Sequence, residues 1–147
     1  MALEPELLYV NSKISDPTKL SPELFESWYN EVHIPDIFAT SGIKQAFRYY
    51  TTAEDPNSID RPYLALYPVK YPGYLTSAEY RGIPLKSDML PGPNHRIFDV
   101  ANFDSRFYAL TSAAQPFNGT HFDLLAEETL TRFGRSIPVD SAIRSRT

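Results

Sequence analysis

At 147 residues the chain has room for one hydrophobic core and not for two independent ones, so a single domain over 1–147 is expected. A hydrophobic fraction of 42% with 22% charged residues argues against global disorder, and a net charge of −4 with scattered basic residues leaves no footprint for nucleic acid. There is no cysteine, which removes disulfides, thiolate nucleophiles and cysteine-based metal centres, and Met1 to Leu8 has acidic residues in place of a long apolar run, so neither a secretory leader nor a membrane partner is expected and the location reads as cytoplasmic.

In chain order, Leu7 to Ile14 alternates, with Leu8 and Val10 to one side and Tyr9 and Asn11 to the other, the pattern of a strand occupied on both faces. After the Asp16-Pro17 turn, Ser21 supplies a capping oxygen, Pro22 suits the first helical position and Glu23 favours the positive end of the helix dipole. Leu24, Phe25, Trp28 and Val32 form the apolar stripe of that helix. Pro35 lacks an N–H and crowds the preceding turn, so the helix should end or kink near His33.

Ile43 to Thr51 reads as a second strand, Glu54 to Asp60 as a polar loop and Tyr63 to Val69 as a third strand, with Pro68 marking an edge or terminus. Leu75 to Arg81 is a short helix capped by Thr76 or Ser77, and the stretch from Gly82 to Arg96 is irregular on account of its prolines and glycines. Ile97 to Leu110 resumes as a strand. Phe122 to Phe133 is amphipathic and predicts a C-terminal helix, with His121 at its start.

The order β-α-β-β-α-β is the ferredoxin-like arrangement, an α+β fold with a core over about 7–110 and a C-terminal helical extension over 111–147. Helices cover one sheet face in that plan. The other is expected to carry Tyr9 and Asn11 of the first strand and Tyr63, Ala65 and Tyr67 of the third, an aromatic set suited to a ligand groove or to face-to-face packing as a homodimer. A dimeric α+β barrel follows, with a cavity between sheet and helices or in the barrel mouth.

The run Phe25-Glu26-Ser27-Trp28-Tyr29-Asn30-Glu31-Val32-His33-Ile34-Pro35-Asp36, after a strand Leu8-Tyr9-Val10-Asn11-Ser12-Lys13, resembles the EthD-like group of dimeric α+β barrel proteins. More narrowly, Arg61-Pro62-Tyr63-Leu64-Ala65-Leu66-Tyr67-Pro68 and the segment from Phe98 to Tyr108 are similar to fungal decarboxylases of aromatic polyketide pathways. The resemblance spans Leu7 to Leu110 and implies a cofactor-independent carboxy-lyase acting on a small aromatic polyketide acid of the atrochrysone carboxylic acid type. The same superfamily holds cyclases, cofactor-free monooxygenases and members without known activity, so a cyclase, a monooxygenase or a non-catalytic binder of an aromatic metabolite stays open.

Loss of carbon dioxide from a β-keto acid leaves an enolate to be stabilised and a carbon to be protonated, and His33 is the candidate acid/base for both. As a cation it donates to the oxyanion or delivers the proton, with Tyr29 as partner or second donor and either Asp36 or Glu31 holding the imidazole in one tautomer. Arg48 either clamps the departing carboxylate or is a surface strand residue; Asn11, Tyr50, Tyr63 and Tyr67 are candidate binding residues, and Trp28 lies in the core or at the ligand. His95 sits in a Pro/Gly-rich loop, either solvent-exposed or on a lid. His33, His95 and His121 complete no ligand spacing, so no metal is expected, and no glycine-rich loop precedes a helix, so no nucleotide cofactor is either.

Overall fold

The computed structural model describes residues 6–114; the C-terminal helix expected over Phe122 to Phe133, with His121, lies outside them. β1 (Glu6–Ile14) leads into α1 (Pro22–Trp28), a single π turn (Tyr29–His33) and α2 (Ile34–Phe38). β2 (Phe47–Tyr50), β3 (Tyr63–Val69), α3 (Ala78–Arg81) and β4 (Ala101–Ala109) complete an α+β architecture. Among the described residues no helix is long and apolar enough to cross a membrane.

Helix α1 starts where its capping chemistry dictates. The Ser21 hydroxyl accepts from the Leu24 N–H at 3.1 Å, with Pro22 in the first turn. Of the two outcomes expected near His33, an end or a kink, the end does not occur. The helix instead runs on through the π turn, in which the Ile34 N–H reaches back to the Tyr29 carbonyl, and Pro35 falls in the first turn of α2. Widening one turn by a residue absorbs both faults of proline, its missing donor and its bulky ring, without ending the helix.

The short helix α3 is capped by Ser77, whose hydroxyl accepts from the Tyr80 N–H at 3.1 Å, and a 3₁₀ turn at Tyr74–Thr76 takes the place of its expected first residues. The second strand is shorter than its alternation suggested, beginning at Phe47, and a 3₁₀ turn at Ile97–Asp99 precedes β4.

The four strands form one sheet in the order β2-β3-β1-β4, every neighbouring pair antiparallel. Leu8 pairs with Tyr67 and Phe107, Val10 with Ala65 and Ser105, and Ser12 with Tyr63 and Phe103. Directly paired residues share a face. Tyr63, Ala65 and Tyr67 therefore lie with Leu8 and Val10 under the helices, not with Tyr9 and Asn11 as the strand patterns suggested. Alternation within one strand says nothing of which set of its neighbour lies alongside; register decides that. Arg48 and Tyr50 pair with Ala65 and Tyr63 and so join the helix-covered face. Pro68 lies beyond the stretch of β3 that β2 pairs, so its missing N–H costs no bond on that side.

The opposite face carries Leu64 and Leu66 beside Tyr9, Asn11, Phe47, Tyr49 and Tyr108. Phe47, Tyr49 and Tyr108 are 45%, 54% and 46% exposed, and Tyr108 meets Tyr9 edge-to-face with ring centroids 5.9 Å apart. Between sheet and helices the core divides in two. One cluster gathers Leu8, Val10, Ile37, Tyr67 and Tyr74, the other Phe25, Trp28, Tyr29, Tyr63 and Ile97. The seam between them is where a cavity opens.

Candidate functional site

The cavity measures about 210 Å³ and draws its walls from every layer of the fold. The sheet contributes Leu8, Val10, Tyr67, Phe103 and Ser105; the helical segment contributes Trp28, Tyr29, His33 and Ile37; α3 and the stretch between it and β4 contribute Tyr80, Arg81, Ile83, Leu85, Ile97 and Phe98. The lining is apolar and aromatic with a few polar atoms, the composition of a site for a small flat organic molecule.

The π turn assembles its inner end. In a straight α-helix, residues five apart lie about 140° apart around the axis, so Trp28 and His33 would point in different directions. With the turn widened they stack, ring centroids 4.6 Å apart and planes within 15°, while Tyr29 meets His33 edge-on at 5.3 Å. The His33 Nδ1 is buried without a hydrogen-bond partner, while the Tyr67 hydroxyl lies against that of Tyr29. Buried polar atoms are normally paired, so this orphan in the lining of the cavity marks a place where a ligand would complete the bonding.

Burial holds the His33 pKa down at about 4, below its ordinary 6.5, and the Arg48 positive charge pushes the same way. The imidazole is thus neutral at pH 7 in the free protein, with one N–H and one lone pair, in place of the cationic donor expected of it. Burial pushes the Tyr29 phenol up to about 12, opposed by the Arg48 guanidinium and the hydroxyls of Tyr67 and Ser12. The Tyr67 phenol is also raised, first by burial and then by its neighbour Tyr29, so both phenols remain protonated donors near neutrality.

Arg48 stands behind this group without lining the cavity. Its Nη2 donates to Glu26 Oε1 at 2.7 Å and its Nη1 to Glu26 Oε2 at 3.3 Å, and the guanidinium carbon sits 3.7 Å from the Tyr29 ring centroid. A guanidinium committed to a carboxylate and an aromatic face braces Tyr29, and it is not free to clamp a departing carboxylate.

Of the residues singled out in the sequence, the fold brings His33, Tyr29, Trp28 and Tyr67 together at the cavity. Tyr63 packs one layer away against Phe25 at 5.0 Å, and Tyr50 leans on Tyr63 at 5.0 Å from the sheet edge. Asn11 lies on the opposite sheet face. Asp36 and Glu31 are outside the lining, and neither bonds the His33 Nδ1. His95 is exposed at positive φ, its Nδ1 2.6 Å from the buried Leu90 carbonyl oxygen. The sequence reading missed Tyr80, Arg81, Phe98 and Ser105. Only the alternation of β4, which sets Phe103 and Ser105 on one face, could have pointed to any of them.

Among the described residues no group of three or more His, Asp or Glu side chains is disposed to hold a metal ion. No protein-family model matches the chain, and neither a curated protein nor a solved structure matches it.

Proposed function

We propose that the chain is a cofactor-independent decarboxylase of an aromatic polyketide carboxylic acid, of the atrochrysone carboxylic acid type, built as an EthD-like dimeric α+β barrel. The observation that carries this reading is the unpartnered His33 Nδ1 in the wall of a largely apolar cavity that also holds the Tyr29 and Tyr67 phenols. The strand order β2-β3-β1-β4 with all pairs antiparallel supports a ferredoxin-like topology, and the aromatic helix-free face supports a homodimer closed sheet against sheet.

The chemistry runs through the chain's own groups. A carboxylate bound beside His33 offsets the burial that keeps the imidazole neutral, so the ligand brings one proton onto the ring. The bond from the α-carbon to the carboxyl carbon breaks, carbon dioxide leaves, and the electron pair moves onto the β-ketone oxygen as an enolate. The Tyr67 hydroxyl, still protonated, donates to that oxyanion, with Tyr29 held beside it by Arg48. The imidazolium then protonates the α-carbon and returns to its neutral state. General acid catalysis of this kind contributes roughly 10²–10⁴-fold.

The test is mass spectrometry of a polycyclic aromatic β-keto acid incubated with the wild type, with His33→Ala and with no protein, since such acids lose carbon dioxide spontaneously. A His33-dependent acceleration supports the proposal. Equal rates in all three refute it, and oxygen uptake or loss of water without carbon dioxide would assign a monooxygenase or a cyclase to the same cavity.

A further inference from the structure

Among the described residues that line the cavity, Arg81 is the single permanent cation and none is an aspartate or glutamate. That is notable in a chain whose net charge is −4. Arg81 ends α3, and its guanidinium is fastened on one side to backbone: Nη2 donates to the Thr76 carbonyl at 2.5 Å and Nε to the Ser77 carbonyl at 3.3 Å. Among the described residues no salt bridge to an acid engages it, and Nη1 and one N–H of Nη2 have no partner. Arg48 differs on each count, being locked to Glu26 and stacked on Tyr29 away from the cavity.

We propose that Arg81 is a specificity-determining residue that selects aromatic ligands bearing a carboxylate for this cavity. Anchoring by carbonyl acceptors fixes where the fork points without neutralising it, and the planar guanidinium matches a planar carboxylate. The apolar and aromatic walls from Trp28, Tyr80 and Phe98 take the rings. Because Arg81 is exposed to solvent its attraction is screened, so it discriminates by about fivefold at low salt. The inference rests on the cavity being a ligand site, and it names the ligand class without depending on carbon dioxide loss.

Trp28 is the chain's one tryptophan and lines the cavity, so its emission reports occupancy. Anthraquinone carboxylate and the neutral hydroxymethyl anthraquinone are titrated against the full chain at pH 8 and low salt, with wild type, Arg81→Gln and Arg81→Lys. The expected result is about fivefold tighter binding of the carboxylate by wild type, loss of that preference in Arg81→Gln with the neutral probe bound as before, and partial retention in Arg81→Lys. Equal affinity of wild type for both probes, binding of neither, a preference that survives Arg81→Gln, or equal losses of both probes in that variant would each overturn it. Selectivity without carbon dioxide release leaves Arg81 standing and removes the decarboxylase; the reverse pattern removes Arg81 alone.

Discussion

Protonating His33 in the folded chain means charging a ring sandwiched between Trp28, Tyr29 and the Arg48 field, and the cost appears as a dependence of stability on pH. The folded pKa of about 4 lies below the ordinary 6.5, so between those values the unfolded chain binds more protons at this site than the folded one. Stability from this group is therefore fully present above pH 6.5 and is lost as pH falls toward about 4. At about 1.4 kcal/mol for each tenfold change in proton affinity the loss is about 3 kcal/mol, trimmed to about 2–3 by solvent that reaches the ring through the cavity. Urea unfolding at steps between pH 7 and pH 4, on wild type and on His33→Phe, isolates it. Carboxylates titrating in the same window cancel in the difference. The wild type should lose about 2–3 kcal/mol more than the variant over that range. A difference flat with pH, or a His33 ring that titrates near 6.5 by NMR, would refute the burial argument and with it the neutral imidazole on which the mechanism starts.

Two further outcomes are expected from the packing. A Cβ added at Gly42 would lie 2.1 Å from Cδ2 of Tyr74, a fully buried ring whose hydroxyl is 2.6 Å from that of Thr40, so Gly42→Ala should cost about 3 kcal/mol and lower Tm by roughly 10 °C; an unchanged Tm by calorimetry would contradict the close approach. On the helix-free face, Phe47→Glu with Tyr49→Glu should convert a sedimenting dimer to a monomer with unaltered far-ultraviolet circular dichroism, because both rings are about half exposed there. A wild type that sediments as a monomer at micromolar concentration rules out the sheet-to-sheet barrel.

Much of the local structure was legible in the residues themselves. Ser21 and Pro22 start α1 where capping rules put it, Tyr63–Val69 is a strand with the bounds its alternation implies, and Ser77 caps α3. These are decisions between sequence neighbours, made by backbone hydrogen bonds and steric limits that act within a few residues. Even Pro35 signalled a disturbance at His33, although its form was not foreseen. Local rules say that proline ends a helix. Burial of Trp28, Tyr29 and Ile37 on both sides of it favours continuing, and the π turn reconciles the two.

What the tertiary structure alone decided is which of the chemically suitable side chains meet. Strand alternation sorts each strand into two faces, but antiparallel register joined Tyr67 to Leu8 and sent Tyr9 and Asn11 away from the cavity. Two arginines looked alike as residues; the position of Glu26 under β2 neutralises Arg48, while Thr76 and Ser77 offer Arg81 only carbonyls and leave its charge available to a ligand. The sequence by itself determined the order of the described elements and the presence of an aromatic-rich helical segment carrying an imidazole, though not that the helix runs on past it. The site came from contacts between residues far apart in the chain, whose energies depend on distances that no local pattern encodes.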